Sequence, residues 1–231
     1  MSTLPSLVKP CSWLLGTSEL SMSTLPSLVK PCSWLLGTSI LLGYHLNLYK
    51  RESSGEQTWR KSQVSIRVAW SSHVRSTENW LYAVQTLRNA ITAQTFLATT
   101  VLSLLTVVSG RMWDLVRASV DPGDRRRLVA QFVAVSGCLL LSAHNFLQGA
   151  RLMTHAGFMF PVTAAPGGLV KGEAVDKVIE GSQNAQWLGL RWLYLAIAAT
   201  VWIVGGEGAY CIAAVGFWRF FKELDKPPSI I

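Results

Sequence analysis

Residues 191–221 read RWLYLAIAATVWIVGGEGAYCIAAVGFWRFF. Between Arg191 and Arg219 the stretch is apolar except for the Gly205-Gly206-Glu207-Gly208 interruption near its middle. At 1.5 Å per residue, about thirty residues make a helix of about 45 Å. A bilayer core is only ~30 Å thick and takes about 20 residues. One tilted helix, a helix broken at the glycines, or two short spans would each fit. The piece after Gly208 has thirteen residues before Lys222, short for a crossing. The reading therefore favours one long element, kinked or broken at the glycines.

Working outward, three further apolar runs appear. They lie near residues 31–49, 89–109 and 128–150, and the last element runs near 191–221. Basic residues bracket them: Lys50 and Arg51 close the first, Arg88 and Arg111 flank the second, and Arg125-Arg126-Arg127 and Arg151 flank the third. The expected fold is an all-α transmembrane helical bundle of about four spans with a long fourth helix, kinked or broken at the glycines. The bundle occupies residues 31–226. Residues 1–30 form a duplicated N-terminal segment, read as disordered or targeting, and 227–231 form a short tail.

Composition supports this class. Half of the 231 residues are hydrophobic and 15% are charged, whereas soluble domains carry about 25% charged residues. Mean hydropathy is +0.31. The formal charge of +8 sits between the apolar runs, a placement that suits anionic lipid headgroups better than nucleic acid. The four cysteines, Cys11, Cys32, Cys138 and Cys211, contain no CxxC pair, so neither a disulfide framework nor a zinc site is indicated. Residues 1–18 and 22–39 are identical. Only the second copy continues into an apolar run long enough to span, because Glu19 cuts the first short.

Lys/Arg counts leave orientation open. With four spans the two faces hold ten and eleven basic residues; with five they hold seven and fourteen. The second arrangement is the best sequence argument for five crossings. Among the connections, Val64, Ile66, Val68 and Trp70 alternate with Ser65, Arg67 and Ala69, giving a short strand or an interfacial strip. Asp121-Pro122-Gly123 signals a turn, residues 161–168 a loop, and Ala174, Val175, Val178 and Ile179 a short amphipathic helix. No Walker loop, GxGxxG, HExxH or GxSxG pattern occurs.

Several stretches resemble the domain-of-unknown-function 599 family of plant and bacterial membrane proteins. They are Tyr44-His45, Arg67-Val68-Ala69-Trp70 and Ala83-Val84-Gln85-Thr86-Leu87-Arg88-Asn89 running into Ala98-Thr99-Thr100. Arg151, Gly189-Leu190-Arg191-Trp192-Leu193-Tyr194 and Trp202 continue the pattern. The resemblance covers roughly residues 40 to 226. At Gly205-Gly206 the family pattern suggests glycine-proline. The resemblance implies a multi-span membrane protein and no particular reaction.

Polar residues inside the apolar runs are the candidates for function. With four spans, Arg88, Arg151 and Arg191 share one membrane level, and Asn89 and Gln148 lie near it. Converging guanidinium groups could hold an anionic headgroup, phosphate or carboxylate. His144, Gln148, Arg151 and His155 fall on one stripe of the third helix, and Gln85, Asn89, Thr92, Thr99, Ser103 and Thr106 on one stripe of the second. Polar groups are costly in hydrocarbon, so both stripes are expected to face other helices. His45 and His144, at equal depth on two helices, would either be hydrogen-bonded or ligate a haem iron. Glu207 is an intramembrane acid, expected to depart from lipid through a break in its helix.

The leading functional expectation is a non-enzymatic integral membrane protein acting in transport, lipid or anion binding, or assembly of a membrane complex. Membrane lipid and other membrane subunits are the expected partners, with no cofactor, no metal and no nucleic acid. The alternative is a membrane redox protein or enzyme that uses the histidine/arginine cluster.

Overall fold

The computed structural model describes residues 33–163 and 170–227. The first copy of the duplicated segment lies outside the described residues. Five helices follow in order: α1 (Ser33–Ser53), α2 (Trp59–Thr77), α3 (Trp80–Ala118), α4 (Pro122–Thr163) and α5 (Gly172–Leu224). No strand occurs among the described residues. Three helices, α3, α4 and α5, are long and apolar enough to cross a membrane.

Local signals explain the boundaries. The Thr58 side chain caps α2 by accepting from the Lys61 amide, and Glu78 ends that helix in the left-handed region with φ 51°. Asn79 caps α3. Asp121 Oδ2 accepts from the amides of Gly123 and Asp124 at 2.9 Å, so the turn signal at 121–123 is the N-cap of α4, with Pro122 at the first helical position. In the α1–α2 turn, Arg51 pairs with Glu56 and holds its carboxyl below the usual range.

Two local expectations are corrected. Residues 64–70 are helical, not a strand. Burial in α2 falls on Ser62, Ser71 and Val74, the side turned to α5, so packing and the cap override the alternation. The loop expected at residues 161–168 does not start at Pro161: α4 continues through Pro161 to Thr163, and residues 164–169 are outside the described part.

The decisive feature is the path of α5. Gly206 has φ 73° and ψ −168°, a non-helical conformation inside an otherwise helical run. This region is essentially reserved for glycine. Residues on either side then pair in reverse order. Trp202 lies 5.6 Å from Tyr210, Tyr194 lies 5.2 Å from Phe220, and Arg191 bonds Asp225. A straight helix would separate residues 191 and 225 by about 50 Å. So α5 is a helical hairpin, with a first arm of residues 172–205 and a second arm of residues 207–224. The expected break at the glycines is present, and it reverses the chain.

The helix α1 lies along the hairpin, parallel to its second arm. Trp34 stacks on Trp202 at 6.3 Å, Thr38 bonds the Tyr210 hydroxyl at 3.1 Å, and Tyr44 reaches the Phe221 carbonyl at 2.8 Å. The first arm packs on α4, and α4 on α3. Polar and small residues make those contacts close. Ser142 Oγ donates to the Gly189 carbonyl at 2.7 Å, and Ser182 Oγ to the Gly149 carbonyl at 2.8 Å. Gln94 Nε2 joins Ser182 at 3.3 Å from α3. A Cβ on Gly149 would sit 2.0 Å from Gln94 Oε1, and one on Gly189 2.8 Å from the Phe146 ring. At one end of the bundle α2 runs against the start of α5, with Arg75 bidentate on Asp176 at 2.7 and 2.9 Å. There Val74, Leu87, Met153, Phe160, Val175 and Ile179 share one core, and the residues read as an amphipathic helix start α5.

Candidate functional site

The candidate site is a cavity of about 850 Å³ walled by α1, α4 and both arms of α5. It exists because α1 packs principally on α5. The side chains facing the gap on α4 are small, Ala130 and Ala134, and the opposite wall carries indoles, Trp34, Trp187 and Trp202. Its volume falls in the range of ligand pockets, and its lining is mainly apolar.

Each end of the cavity carries ionic groups. At the hairpin tip, Arg127 at the start of α4 faces Glu207 at the start of the second arm, 3.6 Å apart. At the other end, Arg191 and Asp225 form a pair in which both side chains are under 5% exposed. The Tyr44 hydroxyl lies between Asp225 Oδ2 and the Phe221 carbonyl, and the Trp59 amide donates to the Asp225 carbonyl. The Arg191 guanidinium also lies over the Trp187 ring at 4.7 Å and the Phe221 ring at 4.4 Å. His45 Nδ1 lies 2.7 Å from the Leu41 carbonyl.

Residues 33–225 match the family described as Protein of unknown function, DUF599. The chain belongs to the DUF599 family. No curated protein and no solved structure matches it significantly.

In this DUF599 protein the residues singled out in the sequence are dispersed. Of the five proposed to hold an anion, Arg191 is buried against Asp225, Gln148 is half-buried, and Arg88, Asn89 and Arg151 are exposed. Only Arg191 lines the cavity. His45 lines it too, whereas His144 lies on the exposed side of α4, so the structure does not put the two histidines on one site. Glu207 is at the cavity's far end, facing Arg127 and beside the break at Gly206.

The polar stripes point outward, contrary to expectation. His144, Arg151 and His155 are exposed, and so are Gln85, Asn89, Thr92, Thr99, Ser103 and Thr106. The hydroxyls on α3 bond back along their own helix, Thr99 to Thr95, Ser103 to Thr99 and Thr106 to Leu102, which would lower their cost in an apolar environment. The face of α4 that packs is instead the one with Ser142, Ala143, Gly149, Ala150 and Ala156. Small residues let helices approach closely, which hydroxyl periodicity does not reveal. Sequence reasoning passed over Gln94 and Asp225. Gln94 lay within an otherwise apolar run, and Asp225 looked like part of a charged tail. Among the described residues no group of three or more His, Cys, Asp or Glu side chains could hold a metal ion.

Proposed function

We propose that this DUF599 protein is a non-enzymatic integral membrane protein that crosses the bilayer five times and holds an amphipathic molecule from the bilayer in the cavity between α1, α4 and α5. The five crossings would be α1, α3, α4 and the two arms of α5. The second arm has 18 residues and a length of about 27 Å, close to a bilayer core. This topology puts fourteen Lys/Arg on the face with residues 50–88 and 151–191 and seven on the other. By the positive-inside rule the first face is cytoplasmic.

The observation that carries the binding role is the cavity itself. It lies in the apolar part of the chain, its walls are hydrocarbon and indole, and α1 leaves a lateral gap toward α4 through which a lipid could enter. Mass spectrometry of molecules copurifying in mild detergent tests this. The wild type should retain an amphiphile, and Ala134→Trp, which fills the cavity from an exposed position of α4, should lose it while remaining folded. Equal retention by both proteins defeats the proposal. A Soret band in the purified protein would instead support the redox reading.

A further inference from the structure

We infer that the head group of the cavity's occupant is uncharged, carries both a hydroxyl and a carbonyl oxygen, and sits at the Arg191–His45 end. This rests on the cavity-binding reading above and assigns the chemical class of its ligand.

Three polar atoms at that end find no partner in the protein: Arg191 Nη1, Trp187 Nε1 and His45 Nε2. All three residues line the cavity. Their hydrogen-bonding roles are fixed by what surrounds them. The Arg191 and Trp187 groups are donors only. His45 Nδ1 faces a carbonyl, which only accepts, so Nδ1 carries the proton and Nε2 of the neutral ring is an acceptor. The end therefore offers two donors and one acceptor. Buried polar atoms without partners are costly, and a ligand that pairs them recovers that cost.

Charge selects further. Arg191 already has its counter-ion in Asp225, so this end is neutral overall. A phosphate or carboxylate placed there would add a negative charge beside the Asp225 carboxylate, and a fully ionised head has no O–H to give His45 Nε2. A carbonyl oxygen meets Arg191 and Trp187, and a hydroxyl meets His45. The opposite end differs: Arg127 pairs with Glu207 there, and Arg125 and Arg126 just before it on α4 leave that end net positive. Acylglycerols with a free hydroxyl carry the required head, an ester carbonyl and a hydroxyl on one uncharged group.

The test is a thermal-shift titration of the full chain in a neutral detergent. The probes are monooleoylglycerol, its phosphate ester, and a decyl-tailed benzoquinone, which carries carbonyls and no hydroxyl. Monooleoylglycerol should bind at least tenfold more tightly than the phosphate ester, and more tightly than the benzoquinone, whose equal binding would overturn the hydroxyl requirement. Trp187→Phe and His45→Phe keep an aromatic ring and remove the hydrogen-bonding atom; each should weaken binding by roughly three- to tenfold. Ala134→Trp should abolish it. Preference for the phosphate ester, or binding unchanged in both aromatic variants while Ala134→Trp still abolishes it, overturns the head-group assignment and leaves the cavity reading standing. Binding that survives Ala134→Trp overturns both.

Discussion

Arg191 on the first arm of α5 donates to Asp225 at the end of the second, and the pair is buried from both sides. Removing one partner leaves an uncompensated charge in a low-dielectric site, which costs about 3–5 kcal/mol. Arg191→Met and Asp225→Leu should each lower thermal stability sharply. The double variant Arg191→Met/Asp225→Leu should recover much of the loss, because no charge is then left stranded. A double variant as unstable as the sum of the singles would show that the two residues act independently.

Gly206 should tolerate no side chain. Its φ of 73° with ψ of −168° lies where L-residues pay about 1–3 kcal/mol. Gly206→Ala should destabilise the protein by that amount even though its Cβ would meet no atom within 4 Å. Gly216→Ala, in open space on the second arm with ordinary helical geometry, should be neutral or mildly stabilising. Chemical denaturation of both variants in the same detergent provides the comparison.

The crossing of α4 with the first arm makes a second, steric prediction. Gly149→Ala drives its new methyl into Gln94 and 3.3 Å from the Ser182 carbonyl, and Gly189→Ala drives its methyl into the Phe146 ring. Each should cost about 1–3 kcal/mol by overpacking. Gln94→Ala in the Gly149→Ala background should relieve part of the first cost and none of the second.

Five crossings place Ser54 and Lys226 on one side of the membrane and Ser119 on the other. Single cysteines at these positions, in a chain lacking its native cysteines, should label with a membrane-impermeant maleimide accordingly. Labelling of Ser119→Cys and Lys226→Cys from the same side would establish four crossings.

The sequence exposes the chain's class but only part of its path. The long apolar runs and their basic flanks are the pattern that a bilayer's thickness would demand, so they are visible one residue at a time. The break at Gly205-Gly206 is visible for the same kind of reason, because glycine alone is free at positive φ. That the break reverses the chain is not visible. It depends on Trp202 meeting Tyr210 and Arg191 meeting Asp225, contacts between residues whose own neighbourhoods look ordinary. The stripes misled because helical spacing shows which polar residues share a face and says nothing about where that face points. A threonine bonded to the carbonyl one turn back, as Thr99 is, can face outward at little cost. Of the candidate site, His45, Arg191 and Glu207 were legible as polar residues out of place. Trp187 and the cavity required the packing of α1, which no local pattern specifies.

The closure of the α5 hairpin by Arg191 and Asp225 also bears on biogenesis. The cation emerges from the ribosome thirty-four residues before the acid that neutralises it. At a synthesis rate of about 5–20 residues per second, it waits roughly two to seven seconds. On the five-crossing topology, the first arm cannot seat this guanidinium at its final depth during that interval without a counter-ion. The two arms would then leave the translocon as one cooperative unit, and a nascent chain ending at the hairpin tip would be a substrate for membrane quality control.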